Sequence, residues 1–267
     1  YVQQADGMGT LRLLEAVRTC SLTHFTRVFQ AGSAELFGIA KESPQDEQTS
    51  FHPRSPYGVS KQYSYWTVVN HREAHGIHAS NGILFNSESP RRSQDFVTRK
   101  ITSTVARIKR GLQSCLELGN LDARRDWSHT QDFVRGMWQM LQQEEGDDYV
   151  LSSGVARPVR EFVTVAFAAV GICLEWMGER GSVSERGVDS ADCSRVLVRV
   201  NPAFFRPPEL FELRGNSSKA RVKLQWEPSI SFSALVKEMV SADLALIDKT
   251  EDSEEQIYSK QGARVDG

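Results

Sequence analysis

Strand-length apolar runs alternate with helix-length segments along most of this chain, and that alternation restricts the folds open to it. Phe25–Ala31, Ala79–Phe85, Ser114–Leu118 and Tyr149–Ser152 read as strands. Tyr57–His75, Phe96–Lys109, Thr130–Gln142 and Arg160–Val170 read in turn as the helices between and after them. An earlier helix, Thr10–Cys20, carries an apolar stripe of Leu11, Leu14, Ala16 and Val17. Strands separated by helices pair in parallel, because a parallel partner is reached only by a crossover. The expectation is an α/β fold with a mainly parallel sheet.

Beyond about Val155 the pattern is less regular. Short strands are expected around Ile172–Trp176 and Arg195–Val200, a turn at Arg206-Pro207-Pro208, and an amphipathic helix over Phe232–Ile247. The polar, aperiodic stretch after Asp248 reads as a disordered tail. The division expected is 1–155, a smaller lobe over 156–248, and the tail 249–267.

The charge balance excludes several functions. Thirty-two Lys+Arg face 34 Asp+Glu, a net charge of -2, which gives no electrostatic reason to expect nucleic acid or an anionic membrane as partner. No apolar run reaches the ~18 residues of a membrane span. Tyr1–Asp6 lacks the basic and apolar regions of a signal peptide. Cys20, Cys115, Cys173 and Cys193 form no C-x-x-C pair, which argues against a zinc ribbon and for buried or neutral thiols in a reducing cytoplasm. Because position 1 is Tyr rather than Met, an upstream segment is expected.

Two constellations bear chemistry. In Tyr57-Gly58-Val59-Ser60-Lys61 the tyrosine and lysine share a helix face, since four residues advance ~400°. A neighbouring ammonium favours the ionised form of a phenol, which makes a base usable near neutral pH. The pattern is equally that of a surface helix start with an i,i+4 pair. The second is Gly32-Ser33-Ala34-Glu35 at the carboxyl end of the first strand, where open α/β sheets bind ligands. There a hydroxyl and a carboxylate can hold a substrate hydroxyl and move a proton, or the serine can simply cap a turn. Two other patterns are weaker. Gly7-Met8-Gly9 follows no strand and reads as a decoy for a dinucleotide loop. His71 and His75 share a face as zinc ligands would, but lack the H-E-x-x-H order and a third ligand, and read as a solvated cluster, so no metal site is expected.

The segments QAGSAELFG, PRSPYGVSK, NGILFN with ESPRR, FVTRKI and LGNLDARRDW, and later FRPPE and KLQWEP, together resemble the GDP-mannose 4,6-dehydratase family of extended short-chain dehydrogenases/reductases. The resemblance runs from Tyr1 to about Asp248. It implies a partial doubly wound, Rossmann-type parallel sheet with a smaller C-terminal substrate-binding lobe. It implies conversion of GDP-mannose to GDP-4-keto-6-deoxymannose and water, in GDP-fucose biosynthesis, with NADP cycling internally. Tyr57, assisted by Lys61, would take the proton of the sugar 4-hydroxyl. Glu35 would remove the C5 proton and help water leave from C6, and Ser33 would hydrogen-bond the 4-oxygen. Tyr1, Lys61, Ser87 and Arg92 match cofactor-contact positions. Asn86, Lys100, Arg125, Arg206 and Glu209 match positions that hold the GDP-sugar. The basic run Arg91, Arg92, Arg99, Lys100, Arg124 and Arg125 would otherwise be a solvated face. The ESPRR-type loop implies a homotetramer.

The chain departs from the family pattern. The family usually has Thr at position 33, Ser at 32 and 34, and His at 87, where this chain has Ser33, Gly32, Ala34 and Ser87. The family's Gly-rich phosphate loop, first strands and 2′-phosphate pocket precede the segment matching Tyr1. Two functional classes therefore follow: a dehydratase, or a truncated non-catalytic paralogue or partner subunit. Another sugar-nucleotide dehydratase or epimerase is a further alternative.

Overall fold

The computed structural model describes residues 1–205 and 212–262. A π-helical turn, Gln3–Gly7, leads into α1 (Met8–Thr19). Then follow β1 (Arg27–Ala31), α2 (Pro56–His75), β2 (His78–Leu84), β3 (Asn86–Glu88), α3 (Val97–Lys109), β4 (Leu116–Leu118), β5 (Arg124–His129), α4 (Thr130–Met140), β6 (Asp148–Leu151) and β7 (Ala156–Pro158). The rest is α5 (Val159–Ala169), β8 (Leu174–Met177), β9 (Arg186–Asp189), β10 (Asp192–Val200), α6 (Ser218–Leu224) and α7 (Phe232–Gly262).

The chain forms two compact units, each built from three stretches. The first comprises Tyr1–Ser87, Arg124–Arg157 and Glu209–Phe232, the second Glu88–Ala123, Pro158–Pro208 and the chain from Ser233. This differs from a single cut near residue 155. The chain does change unit there, between Arg157 and Pro158, but it has already changed at Glu88 and Arg124.

The first unit centres on parallel strands in the order β1–β2–β6. Val28 pairs with Ala79, and Ile83 with Val150. Leu14 and Val17 of α1 and Val68 of α2 pack with Val28, Ile77 and Ala79, while Tyr65 and Val69 of α2 take Ile83 and Val150. Phe133 and Met140 of α4, Leu224 of α6 and Trp226 pack instead with Tyr149, Leu151, Phe29 and Leu84. Adjacent strand residues thus serve opposite faces, as the two-residue period requires. With both faces covered, the strands do not alternate apolar with polar: Ala79, Ile83, Val150 and Leu151 are buried, and so are the polar Ser80 and Asn81.

Asp148 anchors this sheet to α2. Its carboxylate accepts from Arg72 Nη1 at 2.9 Å and Nη2 at 3.0 Å, from Asn81 Nδ2 at 2.8 Å and from the Tyr65 hydroxyl at 2.8 Å. A second sheet, β3–β5–β7, comes from segments that read as loop or helix lead-in. Its Asp126 is fully buried and accepts from Ser153 N (2.8 Å), Ser153 Oγ (2.5 Å), Gly154 N (3.0 Å) and Gly215 N (3.1 Å). Burial pushes this carboxyl above the ordinary range, and those donors pull it back in part.

In the second unit β10 runs parallel to β4 and antiparallel to β9, which pairs antiparallel with β8. Arg99 of α3 donates to buried Asp243 of α7 through Nε (2.9 Å) and Nη2 (2.6 Å), and Thr102 adds a bond at 2.7 Å. Arg99 is therefore a structural ion pair, not part of a solvated face. α7 continues past Asp248 to Gly262, through the stretch read as a disordered tail. Residues there such as Glu251, Glu254, Glu255 and Lys260 are good helix formers that lack an apolar stripe.

Burial differs among the cysteines and at one histidine. Cys20, Cys173 and Cys193 are exposed, Cys115 is half-buried, and all four are free. His71 is a core residue, not a solvated one: its ring nitrogens meet the Thr67 carbonyl at 2.8 Å and Glu15 Oε1 at 3.1 Å, tying α2 to α1. Among the described residues no group of three metal-ligating side chains forms, and no helix is long and apolar enough to cross a membrane.

Candidate active site

The two constellations meet in the first unit. β1 ends at Ala31, and Gly32 carries the chain on, its N–H donating to the Gly82 carbonyl at 2.8 Å. A Cβ on residue 32 would lie 2.7 Å from that same oxygen, so this approach to β2 requires glycine. Ser33 then caps the short 3₁₀ turn Ala34–Leu36, its Oγ accepting from Glu35 N at 3.2 Å. Ala34 is buried and Glu35 exposed.

Helix α2 begins where its sequence places it. Ser55 Oγ accepts from Gly58 N at 3.0 Å, and Pro56 occupies the first turn. Gly76, at φ +64°, closes the helix in the left-handed region. Gly58 is the residue that joins the two constellations. A Cβ there would lie 2.8 Å from the Glu35 carbonyl oxygen and 3.0 Å from Pro53 Cβ. Only a bare backbone lets the first turn of α2 lie against the Ser33–Glu35 turn.

Tyr57 and Lys61 stand one turn apart, with Lys61 Nζ 5.5 Å from the centre of the Tyr57 ring. Tyr57 is 39% exposed, whereas Lys61 is 8% exposed. A nearly buried ammonium needs partners. Lys61 Nζ has two, the Ala31 carbonyl at 2.9 Å and Asp6 Oδ1 at 2.8 Å. The lysine thereby spans from α2 to the end of β1, beside Ser33. Asp6 was not singled out by sequence reasoning. It lies far from Lys61 along the chain, and no local pattern marks it.

The remaining site residues belong to both units. In the first unit, Tyr1 is fully exposed, Asn86 opens β3 half-buried, and Ser87 Oγ lies 2.8 Å from Thr130 Oγ1. Arg125 Nη1 donates to the Arg124 carbonyl at 2.7 Å, and Arg124 pairs with Glu212 at 2.9 Å. In the second unit, the Arg92 guanidinium covers the Phe96 ring at 3.4 Å and lies 3.4 Å from Glu88. Lys100 Nζ sits 4.2 Å over the Phe204 ring, and burial lowers its pKa. Arg206 and Glu209 lie outside the described residues. Gly7 and Gly9 form no phosphate loop: they lie at the turn into α1, where a Cβ on Gly7 would meet Ser60 Oγ at 3.2 Å and the Tyr63 ring at 3.3 Å.

Comparison with known proteins bears on the family and the fold. The family model for GDP-mannose 4,6 dehydratase matches residues 1–239. A GDP-mannose 4,6-dehydratase of Sinorhizobium fredii is 52% identical over 247 residues, covering 92% of this chain and 70% of that protein. The Homo sapiens GDP-mannose 4,6 dehydratase is 48% identical, covering 92% and 66%. The Drosophila melanogaster enzyme is 48% identical, covering 93% of this chain and 62% of its own length. Among solved structures, RMD of Pseudomonas aeruginosa, complexed with NADPH, superposes with a TM-score of 0.76 at 22% identity, covering 92% of this chain and 78% of that one. The dTDP-glucose 4,6-dehydratase of Bacillus anthracis, in complex with NAD, gives a TM-score of 0.70 at 18% identity, covering 90% and 68%. These structures establish a Rossmann-type α/β fold; the sequence matches go further, and the chain belongs to the GDP-mannose 4,6-dehydratase family.

Proposed function

We propose that this chain carries the proton-transfer machinery of a GDP-mannose 4,6-dehydratase. The observation that carries the reading is the placement of Lys61. Its ammonium lies beside the Tyr57 ring and is bonded to the end of β1, next to Ser33 and Glu35. Tyr57 is the base for the sugar 4-hydroxyl, with the Lys61 ammonium beside its ring. Ser33 donates to the 4-oxygen. Glu35, exposed on the adjoining turn, removes the proton from C5 once a 4-ketone has acidified it, then delivers a proton to the departing C6 hydroxyl.

A nicotinamide cofactor bound beside Lys61 would supply the hydride chemistry that C4 and C6 require. The described residues fit the nicotinamide end of such a group. Lys61 uses two of its three N–H donors on Ala31 and Asp6, so one remains for a ribose hydroxyl. Tyr1, Ser87 and Arg92 complete the proposed cofactor contacts, with NADP as the form used. Asn86, Lys100, Arg125, Arg206 and Glu209 are proposed to hold GDP-mannose. A homotetramer in the cytoplasm, supplying GDP-fucose synthesis, completes the reading.

The test is turnover of GDP-mannose with NADP by protein bearing Tyr57→Phe. Loss of a general base is expected to lower kcat by about 10²–10⁴-fold. Near-normal turnover in that variant refutes the reading. A second reading, a non-catalytic partner subunit, is favoured by one observation: Gly7 lies against Ser60 and Tyr63 of α2 and Gly9 lies within α1, so the Gly7-Met8-Gly9 segment does not cradle a pyrophosphate. It predicts no turnover by the chain alone and co-purification with a longer family member.

A further inference from the structure

Asp6 is a charged group at the site to which the proposed reaction gives no task. Its setting is more elaborate than a surface carboxylate needs. It lies in the π-helical turn Gln3–Gly7, a geometry that redirects side chains and recurs at functional sites. Its backbone is held from two sides: the Asp6 carbonyl accepts from Ser64 Oγ of α2 at 2.6 Å and from Thr10 Oγ1 of α1 at 2.8 Å. Thr10 Oγ1 is itself 2.9 Å from Gln30 Oε1 of β1. The carboxylate therefore sits on a mount built from α1, α2 and β1, with Oδ1 2.8 Å from Lys61 Nζ.

We propose that Asp6 is a positioning residue, which together with the Ala31 carbonyl fixes the Lys61 ammonium so that its one remaining donor is presented at the Tyr57 site. The inference rests on the reading of Tyr57 and Lys61 given above. An ammonium on a four-carbon stem rotates freely about many bonds and carries three equivalent donors. Two acceptors on different elements remove that freedom. The carboxylate also supplies the countercharge that a nearly buried ammonium requires. Asp6 does not touch the reacting atoms; it acts through Lys61.

The experiment compares Asp6→Ala and Asp6→Asn in the full chain, with two readouts. The first does not depend on turnover. Acetylation of lysines by a water-soluble acetyl ester, mapped by mass spectrometry, reports how tightly Lys61 is tied. Release of a pinned side chain is expected to speed Lys61 labelling about fivefold or more in Asp6→Ala, with Lys237 unchanged and Asp6→Asn in between. The second readout is steady-state turnover of GDP-mannose with NADP. Asp6→Ala is expected to lose about tenfold or more in kcat with KM for the sugar within about threefold, a misplacement effect. Asp6→Asn, whose amide oxygen still accepts, is expected to recover most of that loss.

Wild-type labelling of Lys61 in Asp6→Ala overturns the tether. Faster labelling with unchanged kcat and KM overturns the positioning role. If Asp6→Ala fails to melt cooperatively, the near-isosteric Asp6→Asn carries both readouts. Failure of the wider reading looks different: Tyr57→Phe then turns over normally, whatever Lys61 labelling shows.

Discussion

Gly58→Ala sets two well-known effects against each other at the point where the site is joined. Alanine is a better helix former than glycine by about 1 kcal/mol, so propensity alone predicts a more stable protein. The added Cβ, however, would lie 2.8 Å from the Glu35 carbonyl oxygen and 3.0 Å from Pro53 Cβ. A carbon and an oxygen in ordinary contact stand about half an ångström further apart, and the blocking atom is main chain, which cannot swing aside. Overpacking of this kind costs about 1–3 kcal/mol. Strain should win by about 1 kcal/mol, which for a chain of this size is roughly 2–4 °C in melting temperature. The displacement falls between Tyr57 and Glu35, so kcat should fall about tenfold or more, beyond what the stability loss explains. The control is Gly9→Ala in α1, where the new Cβ meets only Gln4 O at an ordinary 3.6 Å. Thermal melts and turnover of both variants decide the matter. If Gly58→Ala melts above the parent, as Gly9→Ala should, the close approach of α2 to the Ser33–Glu35 turn is not real.

Two further outcomes follow from the same geometry. Burial alone would raise the Asp148 carboxyl, but the bonds and charge of Arg72, with Asn81 and Tyr65, outweigh it and hold the group below its ordinary range. A carboxylate lowered in the folded state adds stability that is fully present above about pH 4, its unfolded range, and is lost as pH falls through the folded value. Asp148→Asn should therefore cost about 3–5 kcal/mol near pH 7 by leaving Arg72 unpaired, and should flatten the fall in stability below pH 4 seen by urea titration. An unchanged acid slope would sink that account. Gly32→Ser, which installs the family's usual residue, should destabilise by about 1–3 kcal/mol because its Cβ would meet Gly82 O at 2.7 Å; a neutral melt would show that the strand end can yield.

Much of the first unit was legible because its signals are local. Ser55-Pro56 and Gly76 delimit α2 by capping chemistry alone, and the apolar residues of β1, β2 and β6, such as Val28, Ile83 and Val150, follow from burial on both faces. The strands β3, β5 and β7 were not legible. Arg124-Arg125-Asp126 carries charge where a strand is expected to be apolar, and Asp126 is tolerated only because four donors from distant segments converge on it. The catalytic candidates were visible as two motifs, yet what brings them together, Gly58 against Glu35 and Lys61 on Ala31, is tertiary. His71 misled for the same reason: its partner Glu15 lies on another helix. Nothing within a helical window marks Asp6 as the residue that meets Lys61.

The interleaving of the two units has a consequence for synthesis. Gly215, which donates to Asp126, and Trp226, which packs with Phe133 and donates to the Asp132 carbonyl at 2.7 Å, complete the first unit. Both leave the ribosome only after the stretch from Pro158 to Pro208 that belongs to the other unit. At translation rates of about 5–20 residues per second, that delay is several seconds. For that interval the first unit is a nascent intermediate with Leu151 and Phe133 uncovered, and its yield in a cell depends on what shields that surface until the last segment arrives.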